Sequence, residues 1–317
     1  MEIPKGCVLE ELAEPVTALT DAHVKLRGEL WMPSDIVLPP GVPREERIAE
    51  LREAAQRTPP ALRAIYAVHL LTEKALPSSF HLLAQTLDLD SVFKAWIGRW
   101  TAEEDRHGEL LSKLAEVSGI IPNPGEFERW RFKYMEIGFR PHWHRDPYSM
   151  LAYAALQEES TRISHANLAV RLKQAGAYPF VAPIARVAAE ENFHGRFYSA
   201  VVKLLFECDP ERMLCSLWTS LEDFEMPAYG VAYYAEISYL AELCGTLTPG
   251  QIADSEEALL DFWGVESIAP QSTASDTAKS GLFARISMLR EKQHRIDTRK
   301  HRARTFNFPF LSEPFKI

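Results

Sequence analysis

Four glutamates interrupt segments that are otherwise apolar and have the spacing of α-helices. Glu73 lies in HLLTEKAL, Glu104 in WTAEEDRHGELL, Glu158 in YAALQEESTRISH and Glu191 in VAAEENFHGRF. Four unpaired carboxylates inside a bundle of helices would cost a large free energy if no cation accompanied them. The chain is therefore constrained to a fold that gathers these acids around positive charge.

Two of these segments also carry a histidine three residues after the glutamate, His107 after Glu104 and His194 after Glu191. Residues three apart lie on one face of a helix, so both side chains can reach the same point. The single glutamate of the first half precedes Glu104 by 31 residues, and that of the second half precedes Glu191 by 33. Each half thus predicts a helix with one glutamate followed by an antiparallel helix with Glu-x-x-His.

Four glutamates and two histidines from four helices form the ligand set of ferritin-like di-iron and di-manganese proteins. Two divalent cations would neutralise the four carboxylates, and neutral imidazoles complete the shell without adding charge. Imidazole together with carboxylate suits iron better than calcium. One Glu-x-x-His motif means little, because Glu and His are common on solvated faces. Two copies at matching distances from a further acid favour a site for two iron ions.

Helical spacing recurs along almost the whole chain, and no convincing alternating strand pattern is present. The pattern predicts helices at 45–56, 61–87, 91–117, 126–137, 148–175, 179–206 and 277–304, with shorter ones after residue 210. Pro77, four residues after Glu73, would loosen that turn if the helix continues, although a kink that serves packing is the simpler interpretation. No linker divides the chain, so we expect one all-α domain over residues 1–317, a four-helix bundle core with additional peripheral helices.

The composition excludes several classes of protein. The chain has 317 residues, of which 46% are hydrophobic and 25% charged, which excludes a disordered or collagen-like chain. Its net charge of −9 argues against binding to bulk nucleic acid. The four cysteines form no C-x-x-C pair, and no run reaches the ~18 apolar residues of a membrane helix. With no apolar signal segment at the acidic start, we expect a cytoplasmic protein with no membrane insertion.

Several motifs resemble those of one family, the soluble acyl-acyl-carrier-protein desaturases of plants and actinobacteria, typified by the stearoyl-ACP Δ9 desaturase. The matching segments fall in family order and are LWMPSDIVLP, TEKALPSSFHLLAQTLD, WTAEEDRHGELLSKL, QEESTRISHANLA, AAEENFHGRF and FNFPF. The resemblance implies a ferritin-like enzyme that introduces a cis double bond into a fatty acyl chain on acyl carrier protein. It also implies two ferrous ions per chain, O₂ as co-substrate, a ferredoxin-type electron donor and a homodimer.

The resemblance assigns roles to individual residues. The metal ligands that it implies are Glu73, Glu104, His107, Glu158, Glu191 and His194. Thr161, one turn after Glu158, matches a threonine beside the oxygen-binding face and is expected to relay a proton. Trp31 and Glu190 match a tryptophan and an acid that hydrogen-bond toward His107. From the residues alone, Trp31 could equally be a packed aromatic side chain and Glu190 a solvated neighbour of the ligand beside it.

The chain departs from the plant members at two places that matter for substrate and donor. Met150 and Leu151 stand where plant members have Gly-Phe along the substrate tunnel, and a bulkier side chain there would shorten the cavity. Asn192 and Phe193 replace two cations, which puts the inherited docking of the electron donor in doubt. The length of the acyl chain and the position of the double bond therefore do not transfer from the family.

An acidic carrier protein requires a basic patch on this acidic chain. The stretch Arg285–Arg304 holds eight Lys and Arg against Glu291 and Asp297, a net charge of +6, and is the candidate docking patch. A solvated helix face with internal ion pairs explains the same stretch equally well.

Two other functions fit the same ligand set. One is a related di-iron oxidase or hydroxylase that acts on a carrier-bound natural-product chain. The other belongs to a different class, a ferritin-like iron-binding protein without an organic substrate. Ferritin chains are much shorter and lack the C-terminal helices and the Pro/Phe-rich tail, which disfavours iron storage.

Overall fold

The protein folds as a set of α-helices with a small C-terminal strand ladder. The computed structural model describes residues 4–88, 91–298 and 303–317. The helices are α1 (Lys5–Glu11), α2 (Ala13–Arg27), α3 (Pro33–Val37), α4 (Arg44–Arg57), α5 (Pro60–Glu73), α6 (Leu76–Leu87), α7 (Lys94–Ser118), α8 (Pro124–Ile137), α9 (Pro147–Gln174), α10 (Tyr178–Cys208), α11 (Pro210–Glu222), α12 (Tyr234–Cys244), α13 (Pro249–Phe262) and α14 (Thr273–Thr298), with a 3₁₀ turn at Val265–Ser267. Strands β1 (Thr305–Phe306) and β2 (Phe315–Lys316) pair antiparallel.

Prolines set many of the helix starts. Eight helices, α3, α5, α6, α8, α9, α10, α11 and α13, carry proline in their first turn, where its fixed φ suits the helix and its missing N–H is not needed. This explains the main departure from the predicted elements. The segment 61–87 forms two helices rather than one, because Pro77 cannot donate to the carbonyl of Glu73 and instead opens α6. Glu73 is therefore the last residue of α5.

Four helices form the central bundle. In cyclic order α5 packs on α7, α7 on α10, α10 on α9 and α9 on α5. The longest of them, α9 and α10, make the most extensive pair, and the remaining helices pack around the four. The predicted all-α fold with a four-helix bundle core and peripheral helices is confirmed.

A polar layer divides the hydrophobic core of the bundle into two clusters. Cluster A surrounds Trp96 and Leu205, and cluster B surrounds Leu111 and Phe180. Helices α7 and α9 run from cluster A to cluster B, whereas α10 runs in the opposite direction, so bundle neighbours are antiparallel. The acids and histidines of the four helices lie in the layer between the clusters.

The Pro/Phe-rich tail closes one side of cluster B. The rings of Phe306, Phe308 and Phe310 stack in sequence with centroids 6.3 and 5.5 Å apart, and Phe310 stacks on Trp130 at 4.8 Å. Before the tail, the described part of α14 ends at Thr298, and the remainder of the predicted 277–304 helix lies mostly outside the described residues. None of the described helices is both long and apolar enough to cross a bilayer.

Candidate metal centre

Six side chains from the four bundle helices converge in the polar layer. They are Glu73 at the end of α5, Glu104 and His107 on α7, Glu158 on α9, and Glu191 and His194 on α10. Their potential ligand atoms form two groups of four residues, and within each group the atoms lie within 4.8 Å of one another. The two groups share Glu104 and Glu191, so these two carboxylates could help to hold each of two cations.

Each histidine directs Nδ1 at the carboxylates. Nδ1 of His107 lies 3.1 Å from Glu191 Oε1 and 3.7 Å from Glu73 Oε2. Nδ1 of His194 lies 2.9 Å from Glu104 Oε1. Both imidazoles are fully buried, so these contacts are shielded from water.

The inward-facing atoms of this cluster lack hydrogen-bond partners. Among the described residues, the buried polar atoms without such a partner include Glu73 Oε2, Glu104 Oε1, His107 Nδ1, Glu158 Oε2, both oxygens of Glu191 and His194 Nδ1. Buried polar atoms are normally satisfied, and leaving a charged one unsatisfied is costly. Seven such atoms on six converging residues fit a pair of divalent cations, for which oxygen and imidazole nitrogen are the matching donors.

Trp31 and Glu190 lie on the far side of His107. The carboxylate of Glu190 is 3.0 Å from Nε2 of His107, and it accepts hydrogen bonds from Trp31 Nε1 at 2.6 Å and Arg106 Nη2 at 3.1 Å. Glu190 is only 4% exposed, which excludes a solvated side chain. This acid fixes the far nitrogen of the ring, and Nδ1 is left for the cluster.

The second histidine has an equivalent partner that the sequence interpretation missed. Glu103 Oε2 lies 3.0 Å from Nε2 of His194 and 2.7 Å from Nε2 of His23, while Glu103 Oε1 accepts from Arg27 Nη1 at 2.8 Å. The signal was present, because both halves read Glu-Glu-x-x-His and Glu103 occupies the position of Glu190 in the repeat.

A glycine follows each of these histidines, and the first of them allows a close helix approach. A Cβ on Gly108 would lie 3.2 Å from the carbonyl oxygen of Glu73, where α5 ends against α7. A Cβ on Gly195 would meet Glu158 Cβ at an ordinary 3.7 Å. The missing side chain at Gly108 therefore helps Glu73 to reach the cluster.

Glu73 and Glu158, the two ligand candidates outside the Glu-x-x-His motifs, each have a partner on the carboxylate oxygen that points away from the cluster. Glu73 Oε1 lies 3.0 Å from His165 Nε2, and Glu158 Oε1 accepts from Trp100 Nε1 at 2.9 Å. The ring of His165 lies 4.2 Å from that of His69. The contact of His165 with Glu73 could not be predicted from local sequence patterns, because it joins residues 92 apart.

Burial and mutual repulsion make the metal-free cluster hold protons. Burial, together with the negative charge of Glu191, raises the pKa of Glu158 to about 8. Burial likewise raises the pKa of Glu104 to about 7. Burial opposes protonation of His107 and His194, but the contacts of their Nε2 atoms with Glu190 and Glu103, together with the negative charge of the cluster, prevail and raise the pKa of both. Bound cations would displace these protons.

Two cavities adjoin the cluster. The smaller, of about 50 Å³, is lined by Glu73, Glu104 and Glu158, and by Thr161, whose Oγ1 accepts from Gln157 Nε2 at 3.0 Å. The larger, of about 400 Å³, shares three lining residues with the first, Thr72, Thr161 and Met226. The two cavities are therefore separated by a shared wall that includes Thr161, with the carboxylates on the side of the smaller cavity.

Of the two residues expected along a substrate tunnel, one lines a cavity beside the cluster. Met150 lines the smaller cavity, whereas Leu151 lines neither and packs in cluster A. Successive side chains of a helix project in different directions, and that of Leu151 points into cluster A. The expectation for Leu151 is therefore wrong.

The basic stretch of α14 is largely paired where it is described. Arg285 Nη2 lies 3.0 Å from Glu256 Oε1 on α13, and Lys292 Nζ lies 2.6 Å from Glu242 Oε1 on α12. Arg285 and Lys292 also line the larger cavity. Four further basic or histidine positions of the stretch, Arg299, Lys300, His301 and Arg302, lie outside the described residues.

The sequence of this chain is similar to a known protein family and to curated plant proteins. A family model described as fatty acid desaturase matches residues 5–312. The stearoyl-[acyl-carrier-protein] 9-desaturase of Ricinus communis is 28% identical over 306 residues, which cover 91% of this chain and 76% of that protein. The acyl-[acyl-carrier-protein] desaturase of Cucumis sativus is 29% identical over 329 residues, covering 98% and 81%.

A solved structure shares the fold. It is the X-ray structure of the candidate acyl-ACP desaturase DesA2 from Mycobacterium tuberculosis, with a TM-score of 0.57 and 18% identity. The match covers 84% of this chain and 97% of that one. At this identity the likeness supports the arrangement of helices and nothing finer.

Proposed function

The chain belongs to the fatty acid desaturase family, and from that premise we propose that it introduces a double bond into a fatty acyl chain carried on acyl carrier protein. The observation that supports this most is the cluster of four carboxylates and two imidazoles beside two neighbouring cavities that share a wall at Thr161. The names of the similar plant proteins, stearoyl- and acyl-[acyl-carrier-protein] desaturases, agree with it.

Two iron ions are the proposed cofactor. The residues that would hold them are Glu73, Glu104, His107, Glu158, Glu191 and His194, with Glu104 and Glu191 as the shared carboxylates. Bound iron would activate O₂, which is the oxidant: O₂, two electrons and two protons from outside and two hydrogens from the chain give one double bond and two waters. The seven unpartnered buried atoms support this assignment.

The protein side chains prepare the site in three ways. Glu190 and Glu103 accept the Nε2 proton of His107 and His194, so that the Nδ1 lone pair of each ring faces the cluster. Clusters A and B exclude water on both sides of the polar layer. Thr161 Oγ1, which already accepts from Gln157, retains its own hydroxyl proton and can donate it into the cavity.

The partners are proposed from the same features. Carrier protein would dock near Arg285 and Lys292, where α14 borders the larger cavity, with the cations at 299–302 as further candidates. A ferredoxin-type donor would supply the electrons. Trp31 and Glu190, which connect His107 to a segment with exposed Leu30 and Met32, are one route by which they could arrive. A homodimer follows from the family resemblance.

The decisive test is an assay with purified, iron-loaded protein, ferredoxin, its reductase and a series of acyl-ACPs. Mass spectrometry should detect an acyl chain lighter by two hydrogens, only when O₂ and reduced ferredoxin are both present. Addition of one oxygen atom to the chain would instead identify a hydroxylase. Absence of any altered acyl chain, together with iron loads far above two per protein, would point to storage and overturn the proposal.

A further inference from the structure

Two tyrosines line the smaller cavity beside the candidate metal centre, Tyr153 and Tyr198, and their hydroxyl groups differ. The hydroxyl of Tyr153 donates a hydrogen bond to the carbonyl oxygen of Glu225 at 3.0 Å. The hydroxyl of Tyr198 is buried and has no hydrogen-bond partner in the described part of the chain. Because buried polar groups are normally satisfied, the second hydroxyl requires an explanation.

Tyr198 lies close to the carboxylate cluster. It follows His194 by four residues on α10, so the two side chains share one face of the helix. It also lines the same cavity as Glu104 and Glu158. Burial, together with the negative charge of Glu158, raises the pKa of the Tyr198 hydroxyl, which therefore keeps its proton at neutral pH. A protonated phenol without a partner thus adjoins the position proposed for iron.

Aromatic rings shield Tyr198 from solvent. Its side chain is fully buried in cluster A. The ring of Trp96 meets it edge-on with centroids 5.5 Å apart, and Trp96 itself stacks on Phe197 at 3.5 Å. A phenoxyl radical formed at Tyr198 would be protected by this packing from water and from other molecules.

The proposed reaction gives such a group a task. Complete reduction of O₂ to two waters takes four electrons and four protons, and the acyl chain supplies two of each as hydrogens. When the chain is absent, these two hydrogens must come from elsewhere, or a partly reduced and strongly oxidising oxygen species persists. Met150 and Met226 line the same cavity, and methionine is readily converted to its sulfoxide.

We propose that Tyr198 donates one hydrogen atom to the oxygen that is being reduced when no acyl chain is present, and thereby protects the cavity from oxidation. The inference rests on the O₂ chemistry of the proposed function. The O–H bond of Tyr198 breaks, and its electron and proton both pass to oxygen. One O₂, this hydrogen atom, and three electrons and three protons from outside give two waters and a phenoxyl radical. One further electron from the ferredoxin-type donor and one proton restore the phenol.

The first test looks for the radical. Full-length protein loaded with Fe²⁺ is mixed with O₂ and reduced ferredoxin without acyl-ACP, frozen within milliseconds and measured by electron paramagnetic resonance. The native protein should give a tyrosyl signal whose splitting changes when ring-deuterated tyrosine is incorporated. The signal should be lost in Tyr198→Phe, which keeps the ring and removes only the hydroxyl.

Two control variants each lack one of the two features that Tyr198 combines. Tyr153 lines the same cavity, but its hydroxyl is bonded to a carbonyl oxygen. Tyr134 has a buried hydroxyl without a partner, but it lines neither cavity. Tyr153→Phe and Tyr134→Phe should both keep the radical signal. A signal that persists in Tyr198→Phe or disappears in either control would overturn the proposal.

The oxidation state of the iron separates this proposal from the function on which it rests. Oxidised iron without a tyrosyl signal in the native protein would reject the role of Tyr198 alone. Iron that stays ferrous in the presence of O₂ would reject the O₂ chemistry of the proposed function and the role of Tyr198 with it.

A second test measures protection by the products of damage. The same mixture is incubated for many cycles without acyl-ACP, and peptide mass spectrometry quantifies methionine sulfoxide. Sulfoxide at Met150 and Met226 should be several-fold higher in Tyr198→Phe than in the native protein and in Tyr153→Phe. Met213, a buried methionine outside both cavities, should be oxidised equally in all three. Equal sulfoxide at Met150 and Met226 in the three proteins would contradict a protective role.

Discussion

Glu103 on α7 lies 3.0 Å from the outer nitrogen of His194 on α10, on the side opposite the carboxylate cluster. The same relation holds in reverse for Glu190 on α10 and His107 on α7. Each of these two helices therefore provides a glutamate and a histidine to the cluster, and a further glutamate that orients the histidine of the other helix. Both glutamates of the sequence repeat Glu-Glu-x-x-His therefore have a structural role. The second belongs to the cluster, and the first orients the histidine of the other helix.

Removal of either orienting charge should weaken metal binding. In Glu103→Gln the outer nitrogen of His194 loses its anionic partner, and in Glu190→Gln the same happens to His107, so we expect affinity to fall about 10- to 100-fold for one of two sites. Titration with Fe²⁺ under anaerobic conditions measures this. Glu109→Gln, at an exposed position paired with Lys74, should bind as the native protein does. Equal binding by all three variants would show that the orienting contacts are not needed.

Metal binding should release protons. The pKa of Glu158 is raised to about 8 and that of Glu104 to about 7, and those of His107 and His194 are raised as well, so the metal-free cluster is partly protonated at neutral pH. Metal binds the deprotonated ligands, so affinity should rise as pH rises from about 6 to about 8. Calorimetry in two buffers of different ionisation enthalpy counts the protons. A heat that is independent of the buffer would contradict the predicted protonation.

The close approach at Gly108 should matter more than the looser one at Gly195. Gly108→Ala and Gly195→Ala gain the same helix propensity, so their difference isolates the contact with the neighbouring helix. We expect Gly108→Ala to be less stable than Gly195→Ala by about 1–3 kcal/mol and to weaken metal binding, because the new Cβ displaces the end of α5 at Glu73. Urea unfolding and metal titration measure both effects. Equal stability of the two variants would show that the close approach of Gly108 to the end of α5 has no energetic importance.

The hydroxyl of Thr161 should contribute to turnover rather than to binding. Thr161→Val keeps the shape of the side chain but removes the proton donor between the two cavities, so kcat should fall by a factor on the order of 10² while KM for acyl-ACP changes little. Thr161→Ser retains the hydroxyl and should retain most of the activity. Steady-state kinetics of all three proteins decide the matter, and a fully active valine variant would remove Thr161 from the mechanism.

The bundle and its polar centre could be predicted because the signals are periodic. An acid in the middle of an apolar helix, and a Glu-x-x-His motif, are both recognised from the spacing of residues along one helix. The sequence displays this spacing directly. The contact of Glu103 with His194 could also have been obtained from the repeat. The family resemblance assigns a role to Glu190 but none to Glu103, the matching acid of the first half.

Other features depend on contacts between distant segments. His23 reaches Glu103 across 80 residues, and His165 reaches Glu73 across 92, without a local pattern that marks either pair. The net positive charge of the C-terminal stretch was visible, but its pairing with Glu256 and Glu242 depends on how α12 and α13 pack on α14 or adjoin it. Local patterns fix neither the partner of a charge nor the wall of a cavity.

We predict that two cations share the carboxylates of Glu104 and Glu191. Anomalous X-ray diffraction from crystals grown anaerobically with Fe²⁺ tests it most directly. We expect two iron peaks per chain, one beside His107 and Glu73 and the other beside His194 and Glu158, with Glu104 and Glu191 in contact with both. A single peak, or iron bound instead between His23, Glu103 and His194, would contradict it.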